Sequence, residues 1–210
     1  FQEARGEWVL FVANDVRLHG GCLEALCGAK EYLVRRNGLE TIAHLERSGV
    51  YVGLLQPALY APPGIDHYGL RWVWPGYGFR LQKRPGEGVH EVPVVPATCF
   101  LAHRQTFLDM GGFDETLGIS HEDVDLCLRY RKAGYRHYVV TEATATHLMG
   151  QTIAKTVGHR NLSPYYHKAR MQVIRKHYGG INRWTRLGMV WMLDGVVAML
   201  RRALRKVGLG

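Results

Sequence analysis

The apolar positions of the chain alternate between short continuous runs, typical of strands, and spacings of three and four, typical of helices. Residues 7–13 are almost entirely apolar and predict a buried parallel strand, whereas residues 18–36 carry apolar side chains at helical spacing after Gly20-Gly21. Further strands are predicted at 49–55, 92–102 and 138–140. This alternation of strands and helices predicts an α/β fold.

The second half of the chain carries the clearer helix signals. Residues 104–110 predict a short helix that Gly111-Gly112 breaks, and residues 123–133 a longer one that Gly134 ends. Ser163-Pro164 supplies a cap and a first-turn proline for a helix running to His177, and a last helix is predicted at 184–206.

Residues 56–96 differ in character from the segments on either side. Most of the eight prolines fall there, together with many glycines and aromatic residues, so hairpins and loops are predicted. Trp72 and Trp74 lie two apart, and two interpretations remain open for them. They either stack on sugar rings in an acceptor cleft or cover the sheet.

Composition and charge narrow the class of protein. With 210 residues, 47% hydrophobic and 21% charged, the chain can bury a core, which argues against disordered and collagen-like classes. The four cysteines form no CxxC pair and predict reduced thiols, and no apolar run approaches the roughly 18 residues of a membrane span. Twelve of the 27 Lys/Arg, but one of the 18 acids, follow residue 154, so a basic tail follows a near-neutral body.

Polar groups that can carry chemistry cluster at three places beside predicted strands and helices. Asn14-Asp15 follows the first strand, His121-Glu122-Asp123-Val124-Asp125 opens a helix, and Thr146-His147 follows the last strand. Turn formation explains Asn14-Asp15 taken alone, and an ordinary surface or core histidine explains His147. Helix capping explains at least one of the three acids at 122–125, but three carboxylates together exceed what capping requires. Taken together, Asp15 and His147 suit Mn²⁺ or Mg²⁺, and the carboxylates at 122 and 123 suit a general base beside a binding group.

Three motifs occur in an order that resembles a known family: Gly111-Gly112-Phe113-Asp114-Glu115, His121–Cys127 followed by Arg129, and Ala133-Gly134-Tyr135. They resemble the inverting nucleotide-sugar glycosyltransferases of family 2, among them rhamnosyl- and galactosyltransferases. The resemblance implies a GT-A fold, a Rossmann-like mixed sheet with flanking helices. It implies an N-terminally incomplete chain, because these enzymes begin with a nucleotide-binding βαβ segment. Residues 1–155 would be the C-terminal part of the catalytic domain, and 156–210 a helical basic extension.

The resemblance also implies roles for individual residues. Asp123 would be the general base and Glu122 would orient the acceptor or the base. Asp15 and His147 would hold a divalent metal, although Ala13 stands where the family commonly has the first acid of Asp-x-Asp. The donor and acceptor would contact a further set of residues, namely Asn14, Gly111, Gly112, Asp114, Trp72 and Trp74.

The expected partners are a nucleotide-sugar donor and a glycan or lipid-linked acceptor. The tail helix at 184–206 has arginines flanking an apolar core, which favours an anionic membrane surface and a cytoplasmic protein peripheral on the inner face of the cell membrane. Packing on another part of the protein, or a homo-oligomer, stays open.

Three other functions compete with sugar transfer. The main alternative is a non-catalytic GT-A-like fragment that binds glycan or a protein partner. Nucleic-acid binding lacks a recognised reader motif, and metal-dependent hydrolysis would need a richer ligand set.

Overall fold

The computed structural model describes residues 1–36, 51–61, 66–73, 78–81, 83–118, 120–148 and 163–206. Within them the eight strands are β1 Trp8–Val12, β2 Val16–Leu18, β3 Tyr51–Tyr60, β4 Leu70–Val73, β5 Gly78–Leu81, β6 Val89–Val92, β7 Cys99–His103 and β8 Tyr135–His147. The α-helices are α1 Cys22–Arg36, α2 Arg104–Asp109, α3 Glu122–Lys132, α4 Ser163–His177 and α5 Gly180–Lys206, with a 3-10 turn at Glu115–Leu117. The predicted α/β class is confirmed.

Six of these strands form one mixed sheet. Its order is β1-β7-β3-β8-β2, and β6 also pairs with β8. The β3–β8 pair is parallel, and the other pairs are antiparallel. The prediction of a buried parallel strand at 7–13 was therefore wrong, because β1 pairs antiparallel with β7 and is only partly buried.

The two faces of this sheet bury two separate cores, since neighbouring strand residues point to opposite faces. Leu54, Phe100 and Val139 pack with α2 and α3, whereas Leu55, Leu101 and Val140 pack with α1. A smaller cluster joins α4 to α5 through Met171, Ile174, Leu187 and Val190.

The predicted helices are confirmed near their expected ends, but three strands differ in extent from prediction. The strand predicted at 49–55 extends over Tyr51–Tyr60, into the predicted insert. The strand predicted at 92–102 is divided, because Pro93 and Pro96 lack the N–H groups that a continuous ladder requires. The strand predicted at 138–140 extends over Tyr135–His147, and a hairpin of β4 and β5 lies inside the predicted insert. The predicted boundary between 155 and 156 lies outside the described residues.

Candidate active site

Three sheet strands end, and a fourth begins, at the same end of the sheet. Val12 at the end of β1 pairs with Cys99 at the start of β7, and Tyr60 at the end of β3 pairs with Thr146 near the end of β8. In α/β proteins, functional sites commonly lie in the loops that follow the carboxyl ends of the strands. The predicted residues Asn14, Asp15 and His147 all lie here.

Asp15 and His147 are held together by both side chain and backbone. Nε2 of His147 lies 3.5 Å from Oδ2 of Asp15, and both side chains are largely buried. The backbone N–H of Leu148 donates to the carbonyl of Asp15 at 2.8 Å, and Val16 pairs with His147 in the β2–β8 ladder. Two residues far apart in the sequence thus form one oxygen-and-nitrogen pair, as predicted.

This pair fits a divalent cation of the Mn²⁺ or Mg²⁺ kind. It offers a carboxylate and an imidazole, and Nδ1 of His147 is buried with no hydrogen-bond partner in the described part of the chain. Among the described residues, however, no three ligating side chains converge on one point. The protein would therefore supply two ligands from these residues, and a phosphate-bearing substrate or water would supply the others.

The candidate base, Asp123, sits in the first turn of α3 and is fixed by backbone donors. Its Oδ1 accepts from the N–H of Val124 at 2.7 Å, and its Oδ2 accepts from the N–H of Ala97 at 3.4 Å. Burial raises the pKa of Asp123, and these hydrogen bonds oppose the rise. The carboxylate is held in place and is a better proton acceptor than one in water.

Asp123 and the Asp15 loop flank the same two residues of backbone. Ala97 donates to Asp123, and the carbonyl of the next residue, Thr98, accepts from the N–H of Ala13 at 2.8 Å. The segment 97–98 therefore links the candidate base to the loop that carries Asn14 and Asp15. These hydrogen bonds connect the predicted base to the loop that carries one member of the predicted metal pair.

Glu122 differs from Asp123 in its surroundings. Burial, followed by the negative charge of Asp123, raises the pKa of Glu122 to about 7. Its Oε2 atom is buried and has no hydrogen-bond partner among the residues described. Near neutral pH, Glu122 therefore exchanges a proton readily.

His121 adopts a backbone conformation that is unusual for a residue with a side chain. Its φ of 65° lies in the left-handed region, immediately before α3, and Oγ of Ser120 lies 2.6 Å from its Nδ1. Burial, with a contribution from Arg170, lowers the pKa of His121 to about 4. A neutral imidazole thus lies next to the Glu122-Asp123 pair.

The glycines predicted to lie near the substrates form the turn after α2. Gly111 and Gly112 have φ values of 80° and 61°, which a side chain would strain, and Arg129 donates to the carbonyl of Gly112 at 2.5 Å. Asp114 caps the following turn through Thr116 and accepts from Nζ of Lys176 at 2.6 Å. These contacts tie Asp114 to α4.

Of the two predicted tryptophans, the structure describes the backbone of one. The backbone of Trp72 pairs with Phe79 in the β4–β5 hairpin, whereas Trp74 lies outside the described residues. Their stacking on sugar rings stays a prediction.

One residue at the site was not predicted from the sequence. The ring of His67 lies against that of His147, with ring centroids 6.0 Å apart in an edge-to-face arrangement. The chain has eleven histidines, and nothing in the local pattern separated His67 from the others. Only the pairing of residues distant in sequence reveals its position.

The mixed sheet with helices on both faces is the GT-A glycosyltransferase fold. A crystal structure of GalNAc-T7 with UDP, GalNAc and Mn²⁺ matches it with a TM-score of 0.54 at 12% identity, covering 83% of this chain and 32% of that one. This likeness confirms the predicted GT-A fold.

In sequence, the chain is similar to the N-acetylglucosaminyl-diphospho-decaprenol L-rhamnosyltransferase of Mycobacterium tuberculosis, in strains CDC 1551 and H37Rv. This chain and the Mycobacterium protein are 27% identical over 209 residues, which is 95% of this chain and 66% of that protein. The chain is also 30% identical over 152 residues to the uncharacterized protein y4gI of Sinorhizobium fredii, covering 64% of this chain and 14% of that protein. No protein-family model matches. The predicted resemblance to GT-A enzymes of the rhamnosyltransferase kind is confirmed.

Proposed function

We propose that the protein transfers a sugar from a nucleotide-diphosphate donor to a hydroxyl group of a glycan or lipid-linked acceptor, with inversion at the anomeric carbon. The similarity to an N-acetylglucosaminyl-diphospho-decaprenol L-rhamnosyltransferase supports a lipid-linked acceptor. The observation that carries the proposal is the 97–98 backbone segment, which connects the Asp123 carboxylate to the loop of Asp15.

In this reaction Asp123 removes the proton of the acceptor hydroxyl. The acceptor oxygen forms a bond to the anomeric carbon, and the bond from that carbon to the diphosphate breaks, so the diphosphate leaves with the electron pair. A carboxylate whose pKa is raised by burial suits this step, because its affinity for the proton is greater than in water. Single displacement on the face opposite the leaving group gives inversion.

Other residues support the transfer. Asp15 and His147 would hold a divalent cation, Mn²⁺ or Mg²⁺, which when bound neutralises charge on the leaving diphosphate. Glu122 lies beside the base and orients the acceptor or the base. Asn14, Gly111 and Gly112 would contact the substrates.

The exposed face of α5 supports an association with an anionic membrane. Large apolar side chains are exposed along it, including Ile181, Trp184, Trp191, Met192 and Met199. Arg183 and Arg186 lie near its start, and further basic residues occupy 201–206. Exposed Trp side chains between basic ends are typical of a helix that lies in a membrane surface. No helix in the described residues has the length and apolarity required to cross a bilayer.

The experiment that tests the proposal is sugar transfer by Asp123→Asn in the longest natural form of the protein. A panel of UDP-, dTDP- and GDP-sugars with Mn²⁺ first identifies the donor. We expect the substitution to lower kcat by roughly 10²–10⁴-fold, because the amide accepts no proton, and to leave nucleotide binding unchanged. Glu115→Gln is the matched control, since that acid is exposed.

The result has three informative outcomes. Full activity in Asp123→Asn contradicts the assignment of the base. Activity with retained anomeric configuration contradicts the single displacement. A folded wild-type protein that neither transfers nor hydrolyses any donor favours a non-catalytic, glycan- or partner-binding role.

A further inference from the structure

Arg129, in the last turn of α3, joins this helix to the glycine turn that follows α2. Its Nε donates to Oδ2 of Asp125 at 2.8 Å. Its Nη1 donates to the carbonyl of Met110, and its Nη2 donates to the carbonyl of Gly112 at 2.5 Å. The arginine side chain is only 19% exposed. One guanidinium group thus fixes two carbonyls of the turn to a carboxylate of the helix.

The backbone of this turn needs such a support. Gly111 and Gly112 both have positive φ values, 80° and 61°, and glycine has more backbone freedom to lose than any other residue. The N–H of Gly111 donates to Leu108 at 2.8 Å, and that of Gly112 donates to Phe107 at 3.0 Å. These bonds secure two N–H groups of the turn, and Arg129 secures two of its carbonyls.

The turn lies at the same end of the sheet as the Asp15 loop. Phe113, the next residue, packs edge to face on Phe11 of β1 and on Phe100 of β7, with ring centroids 5.5 and 6.2 Å apart. Phe11 is the penultimate residue of β1, the strand that leads into the Asp15 loop. The turn is therefore held between α3 and the end of this strand.

We propose that Arg129 is a positioning residue for sugar transfer, which keeps the 111–112 turn preorganised as a wall of the substrate pocket. This inference rests on the proposed function. Asp123 and Arg129 lie six residues apart on α3, about 9 Å along the helix axis, so one rigid helix carries both the base and the support of the turn. Two glycines allow a sugar to approach the backbone closely. Without the support, the turn must be ordered when the substrate binds, and this cost lowers affinity.

The shape of the guanidinium suits Arg129 to this role. Its N–H groups form a rigid planar fork, so it can bond one carboxylate and two carbonyls in a single arrangement. A lysine would keep the positive charge beside Asp125 but would offer a single flexible ammonium group. Asp125 also accepts from Lys176 and His177, so its charge keeps partners in Arg129→Lys. This substitution therefore loosens the turn and leaves the buried carboxylate paired.

The test is the steady-state kinetics of transfer by Arg129→Lys in the longest natural form of the protein. We expect KM for the donor or the acceptor to rise at least about 10-fold and kcat to change less than about 3-fold. The pH dependence of kcat should match that of the wild type, because Asp123 keeps its two backbone hydrogen bonds. Arg131→Lys is the matched control, since Arg131 lies on the same helix and pairs with Glu91 at 3.3 Å. Its KM values should equal those of the wild type.

Hydrogen–deuterium exchange of residues 110–114 gives an independent measurement of the turn. Exchange should rise in Arg129→Lys and should not rise in Arg131→Lys. If KM for both substrates is unchanged, the contacts of Arg129 are structural only, and the inference is overturned while the proposed function stands. A fall in kcat with an altered pH dependence would assign Arg129 to the base instead of the turn, which also overturns the inference.

Two further outcomes are separated by other variants. Wild-type protein that transfers no sugar from any donor contradicts the proposed function, and the role of Arg129 in transfer falls with it. If Arg129→Lys loses its native circular dichroism spectrum, Gly111→Ala replaces it, because a side chain at a φ of 80° strains the turn and leaves α3 unchanged. Wild-type KM values in Gly111→Ala would overturn the inference.

Discussion

The adjacent carboxyl groups of Glu122 and Asp123 are distinguished by the atoms around them. Asp123 accepts two backbone hydrogen bonds, whereas Oε2 of Glu122 is buried and unpaired among the described residues. Two neighbouring acids with different environments can take different roles in one reaction, one accepting a proton while the other carries one. The order of their titration is therefore a property of the site that can be measured.

The raised pKa of Glu122 makes the stability of the protein depend on pH. In the unfolded chain Glu122 titrates near its ordinary value of 4.5, and in the folded protein near 7. Between these values the folded state holds a proton that the unfolded state has released, so the free energy of unfolding falls as pH rises. The full difference corresponds to at most about 3 kcal/mol.

Urea denaturation from pH 4.5 to 8 tests this prediction. Relative to wild type, Glu122→Gln should show a smaller fall in stability, because glutamine does not titrate, whereas Asp123, whose pKa burial also raises, still does. The exposed Glu115→Gln should keep it. Parallel pH profiles for wild type and Glu122→Gln would show that Glu122 has an ordinary pKa.

The Asp15–His147 pair makes a second prediction at this scale. If the pair holds the cation that bridges to the donor diphosphate, Asp15→Ala and His147→Ala should each raise the Mn²⁺ concentration needed for half-maximal nucleotide binding, by at least about 10-fold. The measurement is nucleotide affinity at a series of Mn²⁺ concentrations. An exposed acid, Asp109→Ala, serves as control, and an unchanged metal requirement in both variants would remove the pair from the proposed site.

The sequence and the family resemblance predicted Asp15 and His147 as site residues, but they did not predict His67. The first two follow strands, at positions where sites are common. His67 lies in a segment rich in prolines and glycines, and its only distinguishing property is the neighbourhood of His147. That neighbourhood depends on how the insert packs, which no local pattern encodes.

At the scale of elements, α3 and α4 are joined by a buried charge cluster around Asp125. Its carboxylate is fully buried and accepts from Arg129 at 2.8 Å, from Lys176 at 2.9 Å and from His177 at 2.6 Å. Burial alone would raise the pKa of Asp125, but the hydrogen bonds from His177 and Lys176 hold it well below the ordinary value. The helix that begins with the candidate base is thus fixed to the helix that follows the sheet.

Asp125→Ala should destabilise the protein by about 3–5 kcal/mol, because it leaves buried positive and polar groups without their partner. Urea denaturation at pH 7 measures the change. Asp114 also accepts from Lys176 but is only partly buried, so Asp114→Ala should cost much less. Equal losses in the two variants would mean that the cluster does not depend on the buried carboxylate.

The sequence predicted helices better than strands for a physical reason. Caps and glycines are local, and Ser163-Pro164 and Gly134 marked the helix ends closely. The direction of β1 depends on β7, a partner far along the chain, so an apolar run alone could not reveal the antiparallel pairing. The polar and small residues of β8 likewise concealed a long strand, because its pairing, not its composition, makes it one.

For the whole molecule, the exposed stripe on α5 is the surface that the proposed membrane association would use. Trp184 is 72% exposed and Met199 is 64% exposed, so neither contributes much to the core. Replacing both with serine should lower binding to anionic phospholipid vesicles by at least about 10-fold and leave the melting temperature nearly unchanged.

Co-sedimentation with vesicles containing phosphatidylglycerol measures this effect. Tyr165→Ser is the matched control, because this tyrosine is an exposed aromatic residue on α4, off the stripe. Binding should also weaken at high salt if the basic ends contribute. Vesicle binding that is insensitive to Trp184 and Met199 would leave α5 free for another partner.

The pairing of the central strands has a consequence for how the chain is made. β3 is buried along most of its length, yet Leu55 pairs with Leu101 and Tyr51 with Tyr135, residues that a ribosome adds much later. Until β8 has emerged, the growing chain carries an apolar strand with an open edge, the kind of segment that aggregates with copies of itself. The nascent chain is therefore most prone to aggregate through β3 in the interval before β8 emerges from the ribosome.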